Sequence, residues 1–253
     1  MKVSDIIRIG DKIDIRVLQE VEQAEKTDVT VKTYKSKVLD FCSNGTMEIA
    51  MPMEAGKLVL LQLGVRYELV FFSRESLYRT VGQVKERYKK DNIYMLEMEL
   101  KSQPEKFQRR EYFRYPCLLD FKYYELTAEQ AMLDSVDAIF SEIRDEHFYE
   151  KERKGKIMDL SGGGIRFTTE QEQKPDSWIL AELRLKSQTM DNQYYIVANV
   201  IETSKIESAA EYRFMSRAKF SIKNDRVREE IIRYIFEEER RMRQQNSSER
   251  IKK

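Results

Sequence analysis

Apolar and polar positions alternate over most of the first hundred residues. Lys12-Ile13-Asp14-Ile15-Arg16-Val17 is a clean period-two run, and Val29-Thr30-Val31 precedes another at Tyr34-Lys35-Ser36-Lys37-Val38. Ser43-Asn44-Gly45-Thr46 is a turn sequence whose Asn-Gly pair tolerates positive φ. Alternation resumes at Met47-Glu48-Ile49-Ala50-Met51, stops at Pro52, and continues over 59–63, 66–73, 77–88 and 92–100. With no long helical period among them, these six or seven strands predict a small closed or split β-barrel. Lys101-Ser102-Gln103-Pro104-Glu105-Lys106-Phe107 is polar, holds a proline and lacks periodicity, so it reads as a linker.

A second strand-rich stretch follows. Tyr115 to Tyr124 alternates, with Leu119, Phe121 and Tyr123 on one face. Thr127-Ala128-Glu129-Gln130 has the form of a capping box, and Met132, Leu133, Val136, Ile139, Phe140 and Ile143 recur at helical spacing beyond it. This predicts a helical insertion over about 127–152, either lying across a barrel or offering a partner surface. Ile165 to Thr168, Trp178 to Leu185, Tyr194 to Thr203 and Tyr212 to Ser221 supply further strands. Asn224 or Asp225 caps a terminal helix with Val227, Ile231, Ile232, Ile235 and Phe236 on its apolar face; Glu237 to Arg241 carry it into solvent, and the last eight residues or so should fray. The chain is expected to be mainly β, with two small barrels. The first is a split barrel in domain 1–103; the second has six strands in domain 104–246, with the inserted and C-terminal helices.

Charge narrows the functions open to such a chain. The formal net charge is +1, from 45 basic and 44 acidic residues, which argues against a general nucleic-acid binder. No apolar run approaches a membrane span, and Met1-Lys2-Val3-Ser4 does not open a signal peptide, so the chain reads as cytoplasmic. Cys42 and Cys117 fit no metal-ligand spacing and read as free thiols, and the lone histidine, His147, sits in a charged segment. Neither a histidine triad nor a histidine metal site can be assembled, and no metal is expected.

Two stretches carry candidate chemistry. Gln108-Arg109-Arg110-Glu111-Tyr112-Phe113-Arg114-Tyr115 concentrates guanidinium groups and aromatics where the two halves meet. Arginine's planar fork matches phosphate oxygens, stacks on aromatic faces and reads the O6/N7 edge of guanine. About forty-five residues on, Met158-Asp159-Leu160-Ser161-Gly162-Gly163-Gly164-Ile165 forms a turn between two alternating runs. A strand follows those glycines, which excludes a P-loop or Rossmann reading. Without the arginine motif, Asp-Leu-Ser-Gly reads first as an ordinary side-chain-capped turn.

Together, Arg-x-x-x-Arg (Arg110, Arg114) and Asp-x-Ser-x-x-Gly (Asp159, Ser161, Gly164) resemble the two-part signature of PilZ domains, receptors for cyclic di-GMP. The layout of the first half resembles the N-terminal domain of the YcgR-like flagellar-brake branch. The resemblance implies that Arg110 and Arg114 take phosphate oxygens and guanine edges, Asp159 accepts from guanine N–H donors, and Ser161 bonds nearby. Gly163 and Gly164 would admit the ligand to the backbone, where a nest of N–H groups could form. Arg109, just before the motif, would favour a second ligand molecule unless it faces solvent or pairs with an acid such as Glu111. The implied function is a non-enzymatic receptor whose ligand reorients the two domains and restrains the flagellar motor. Its implied partner is a stator or rotor protein at the flagellar basal body. A PilZ receptor controlling exopolysaccharide or another output has the same motifs. A flavin- or nucleotide-dependent enzyme built on the first barrel is the rival from another class, although Gly45, Gly56, Gly64 and Gly82 form no phosphate loop.

Overall fold

The computed structural model describes residues 3–27, 31–74, 76–143, 151–207 and 213–251. The chain forms two compact units, Met1–Arg109 and Arg110–Lys253.

The first unit begins with a short helix α1 (Val3–Ile6), strand β1 (Lys12–Val17) and helix α2 (Leu18–Thr27). Strands β2 (Tyr34–Phe41) and β3 (Met47–Ala50) follow, then a two-strand hairpin of β4 (Met53–Glu54) and β5 (Lys57–Leu58). β6 (Arg66–Phe72), β7 (Leu77–Lys90), β8 (Ile93–Leu100) and β9 (Glu105–Phe107) complete it. The sheet runs β6-β1-β2-β3-β8-β7 and returns to β6, a closed ring of six with β9 added along β7. Alternation decides which side chains point inward: Ile13, Ile15, Ile49, Leu69, Phe71, Leu96 and Met98 are wholly buried, each worth roughly 1.5–3 kcal/mol of burial. Gly45 takes φ 83° in the turn expected there.

Four expectations for this unit need correction. α2 was hidden because Gln, Glu, Ala and Lys fill it and Val21 is its one fully buried apolar side chain, leaving little periodic signal. Residues 59–63 form no strand. Their polar groups are bound individually: Val59 donates to the Pro52 carbonyl, the Gln62 N–H to the Tyr67 hydroxyl, and Gly64 (φ 76°) turns the chain. The stretch 105–107 is not linker but β9, with Leu77 opposite Phe107 and Arg79 opposite Glu105. Of the short run at 29–31, Val29 and Thr30 lie outside the described residues and Val31 is not in a strand.

The second unit comprises β10 (Tyr115–Leu126), helices α3 (Ala128–Ala131) and α4 (Val136–Ile143), β11 (Arg153–Ser161), β12 (Gly164–Thr169), β13 (Trp178–Lys186), β14 (Asp191–Lys205), β15 (Phe214–Phe220) and helix α5 (Asp225–Ile251). Its six strands close as β10-β11-β12-β15-β14-β13. Phe121 and Phe167 meet edge to face at 5.2 Å in the core, and Ile231, Tyr234 and Ile235 of α5 pack against the same cluster.

The insertion begins with the predicted capping box: Gln130 N–H donates to Thr127 Oγ1, and Thr127 N–H to Gln130 Oε1. It is not one helix to residue 150. It breaks after Met132, which is exposed rather than apolar-facing, and restarts where Ser135 Oγ accepts from Ala138 N–H. Residues 144–150, with His147, lie outside the described part, as does Tyr212 at the start of the last predicted strand. Ala131 and Ile139 pack on Tyr124, Leu126 and Leu180, so the described insertion covers the outside of this barrel. In α5, Asn224 Oδ1 accepts from Arg226 N–H as a cap, but Phe236 is exposed. Glu238 is buried against Arg241 rather than solvated, and the helix continues to Ile251.

Candidate functional site

The two motif halves are brought side by side by the register of β10 and β11. Residues 108–114 have no regular structure and lead straight into β10. There Tyr115 stands opposite Leu160, and Pro116 opposite Asp159. Arg110 and Arg114 are both exposed, within a few residues of that pairing.

The glycine turn is a two-residue connection: Ser161 pairs with Gly164, and Gly162-Gly163 span the gap. None of the three glycines has a positive φ, so the alternating-hand nest of N–H groups is not formed here. What the glycines provide is room. An added Cβ at Gly164 would lie 2.1 Å from the Ala218 carbonyl oxygen on β15. One at Gly162 would lie 2.8 Å from Tyr112 Cδ1, and one at Gly163 3.0 Å from Tyr112 Cδ2. The turn is further fixed by Phe220 N–H donating to Gly163 O at 3.0 Å. Ser161 is buried, and its hydroxyl donates to Gly164 O at 3.0 Å, locking the turn.

Asp159 is largely buried and already engaged. Arg166 Nε donates to its Oδ2 at 2.5 Å, a charge-assisted bond across the β11–β12 hairpin. Arg217 stands opposite Arg166 on β15 and pairs with Glu202 at 2.8 Å, so two neighbouring arginines are each matched by an acid on their outer side. Cys117, on β10 near Asp159, is half-buried; burial first, and then the Asp159 charge, push its thiol up to about 12.

Two residues absent from the sequence-based site join it. The Tyr112 ring lies on the glycine turn with the Arg228 guanidinium over it, 5.4 Å from the centroid. Arg228 Nη1 also donates to Gly162 O at 2.9 Å. The Tyr112 hydroxyl donates to Glu111 Oε1 at 2.6 Å, and this bond raises its pKa.

Arg109 closes the first unit, on whose surface it makes its contacts. Its Nη1 lies 3.4 Å from Asp14 Oδ2, and its guanidinium stands over the Phe72 ring, 5.0 Å from the centroid. Its acid partner is Asp14 rather than Glu111, which accepts from Tyr112.

Among the described residues no cluster of three or more His, Cys, Asp or Glu side chains could hold a metal, and no helix is long and apolar enough to cross a membrane.

Residues 8–100 match the family model PilZNR, described as flagellar protein YcgR. No curated protein matches the chain. Among solved structures, the chain is similar to the Bacillus subtilis inhibitor of motility MotI/DgrA, with a TM-score of 0.66 and 20% identity over 95% of this chain and 99% of that one. At that identity the likeness is one of fold. Escherichia coli YcgR in complex with c-di-GMP aligns over 97% of this chain and 91% of its own, at 13% identity and TM-score 0.48. The isolated PilZ domain of Escherichia coli YcgR with c-di-GMP aligns over 55% of this chain and 98% of its own, at 21% identity and TM-score 0.38. The first barrel thus matches the YcgR-type family model, and the chain as a whole shares the fold of the motility inhibitor MotI/DgrA.

Proposed function

We propose that the chain is a cyclic di-GMP receptor that restrains flagellar motility by binding a motor protein, and that it is not an enzyme. The observation that carries this reading is the pairing of Tyr115-Pro116 with Leu160-Asp159, which sets the Arg110–Arg114 segment beside the Asp159–Gly164 turn. Cyclic di-GMP offers two guanines and two phosphodiesters. Arg110 and Arg114 suit the phosphate oxygens and the O6/N7 edges. Asp159 cannot take a phosphate; with Oδ2 on Arg166, its Oδ1 is the acceptor for guanine N–H donors. Ser161 and Gly163-Gly164 serve by keeping the turn's shape and bare backbone.

Arg110 opens the second unit, immediately after the boundary. Ligand capture there would change the relative placement of the two units and so the surface offered to a stator or rotor protein. The motility reading draws on the match of the first barrel to the flagellar protein YcgR and on the fold shared with an inhibitor of motility. Titration calorimetry tests the ligand. Arg110→Ala and Arg114→Ala should each lose about tenfold to a hundredfold in affinity, since bonds to charged groups are worth roughly 1.5–3 kcal/mol. Cyclic di-AMP, lacking the guanine O6 and N1–H, should bind poorly. Wild-type-like binding by both folded variants would end the assignment.

A further inference from the structure

Tyr112 sits between the two motif arginines in sequence, and its ring covers the two glycines that the Asp-x-Ser-x-x-Gly turn leaves bare. A ligand held by Arg110 and Arg114 against Asp159 therefore meets that ring. Arg228, from the first turn of α5, holds its guanidinium over the ring and is fixed from the turn side by its bond to Gly162 O. Asp225 stands 3.7 Å from Arg228 Nε, and Ile232 packs against Gly162, so α5 holds this guanidinium in place. Tyr112, by contrast, lies on a segment with no regular structure, and its hydroxyl bond is to its own chain neighbour Glu111.

We propose that Arg228 is a base-stacking residue of the ligand site and that Tyr112 occupies its stacking face until a purine replaces it. This rests on the cyclic di-GMP reading above and adds a subsite to it. A guanine has a flat aromatic face, so it can take the place of a phenol ring beneath a guanidinium and against a turn that has no side chains. The exchange favours the purine because its two fused rings offer the guanidinium and the bare turn a larger flat face than a phenol does, and the rest of the ligand is held by Arg110 and Arg114. The subsite also ties ligand entry to α5, since the incoming base would contact the helix through Arg228.

The two residues predict opposite signs. In calorimetry with cyclic di-GMP, Arg228→Ala should weaken binding by about tenfold, and Arg228→Lys should be no better, because an ammonium keeps the charge but has no stacking face. Tyr112→Ala should bind severalfold tighter, the competing ring being gone. Melting curves of all three variants establish that each is folded. Restoration by Arg228→Lys would reduce Arg228 to a charge and overturn the proposal, and weaker binding by Tyr112→Ala would overturn it by making the ring a support. Wild-type binding that Arg228→Ala leaves unchanged removes this inference alone. Absence of wild-type binding removes the ligand reading and this inference with it.

Discussion

Gly164 is the motif position whose identity the fold itself demands. A Cβ there would lie 2.1 Å from the Ala218 carbonyl oxygen, 3.1 Å from its carbon and 3.2 Å from Lys219 Cα. All three are backbone atoms of β15, so no rotamer relieves the clash. Gly164→Ala must push β12 and β15 apart by roughly 1 Å where Gly164 pairs with Lys219. Overpacking of this kind costs about 1–3 kcal/mol, and each ladder bond lost nearby adds about 1 kcal/mol. A total of about 2–5 kcal/mol corresponds to a drop of roughly 5–15 °C in the melting transition for a unit of this size. Gly162→Ala is the internal control. Its Cβ would meet Tyr112 at 2.8 Å and Ile232 at 2.9 Å, but both are side-chain atoms that can turn aside, so the expected loss is about 1 kcal/mol or less. Differential scanning calorimetry on the full chain measures both. A Gly164→Ala protein melting within 2 °C of wild type, on the same scale as the error, or a larger loss in Gly162→Ala, would refute the steric argument.

Three further outcomes follow from the geometry. Two ligands per chain are expected if Arg109 leaves Asp14 and Phe72 for a second cyclic di-GMP; Arg109→Leu should then lower the calorimetric ratio toward one while Asp14→Asn tightens the second event, and a wild-type ratio of one unchanged by Arg109→Leu counts against it. Solution X-ray scattering should differ in profile with and without ligand, and superimposable curves would leave the proposed rearrangement of the units unsupported. Cys117, with its thiol raised to about 12, should react slowly with a disulfide reagent at pH 8 in a Cys42→Ser variant; because an unfolded thiol ionises near 8.5, its contribution to stability is present below that pH and lost as pH rises toward 12, so a melting curve flat from pH 8 to 11 would contradict the shift.

Much of the fold was legible because a barrel strand has one wet and one dry face, and period two writes that directly into sequence. Lys12–Val17 and Met47–Ala50 alternate for this reason. The failures share a cause as well. α2 buries little apolar surface and so leaves little pattern, while β9 is held by main-chain pairing to β7, which any polar sequence can supply. Met132 and Ser135 show the limit of helical spacing, since a short side-chain cap interrupted a helix that the apolar periodicity ran straight through.

The site divides along the same line, between what local order encodes and what only folding brings together. Hairpin arithmetic makes Arg166 recoverable from sequence: once Gly162-Gly163 is taken as a two-residue turn, 161 faces 164, 160 faces 165 and 159 faces 166, so Asp159 must meet an arginine. That pair changes the chemistry expected of Asp159, because one carboxylate oxygen is already occupied and the remaining one has a fixed direction. Arg228 leaves no such trace. It stands 66 residues from Gly162 on a helix whose pattern speaks only of its buried face, and its bond to the turn depends on how α5 closes against the barrel. The motif therefore marks which residues suit the ligand. The surface that ligand would meet is set by Tyr112 and Arg228, which belong to no motif.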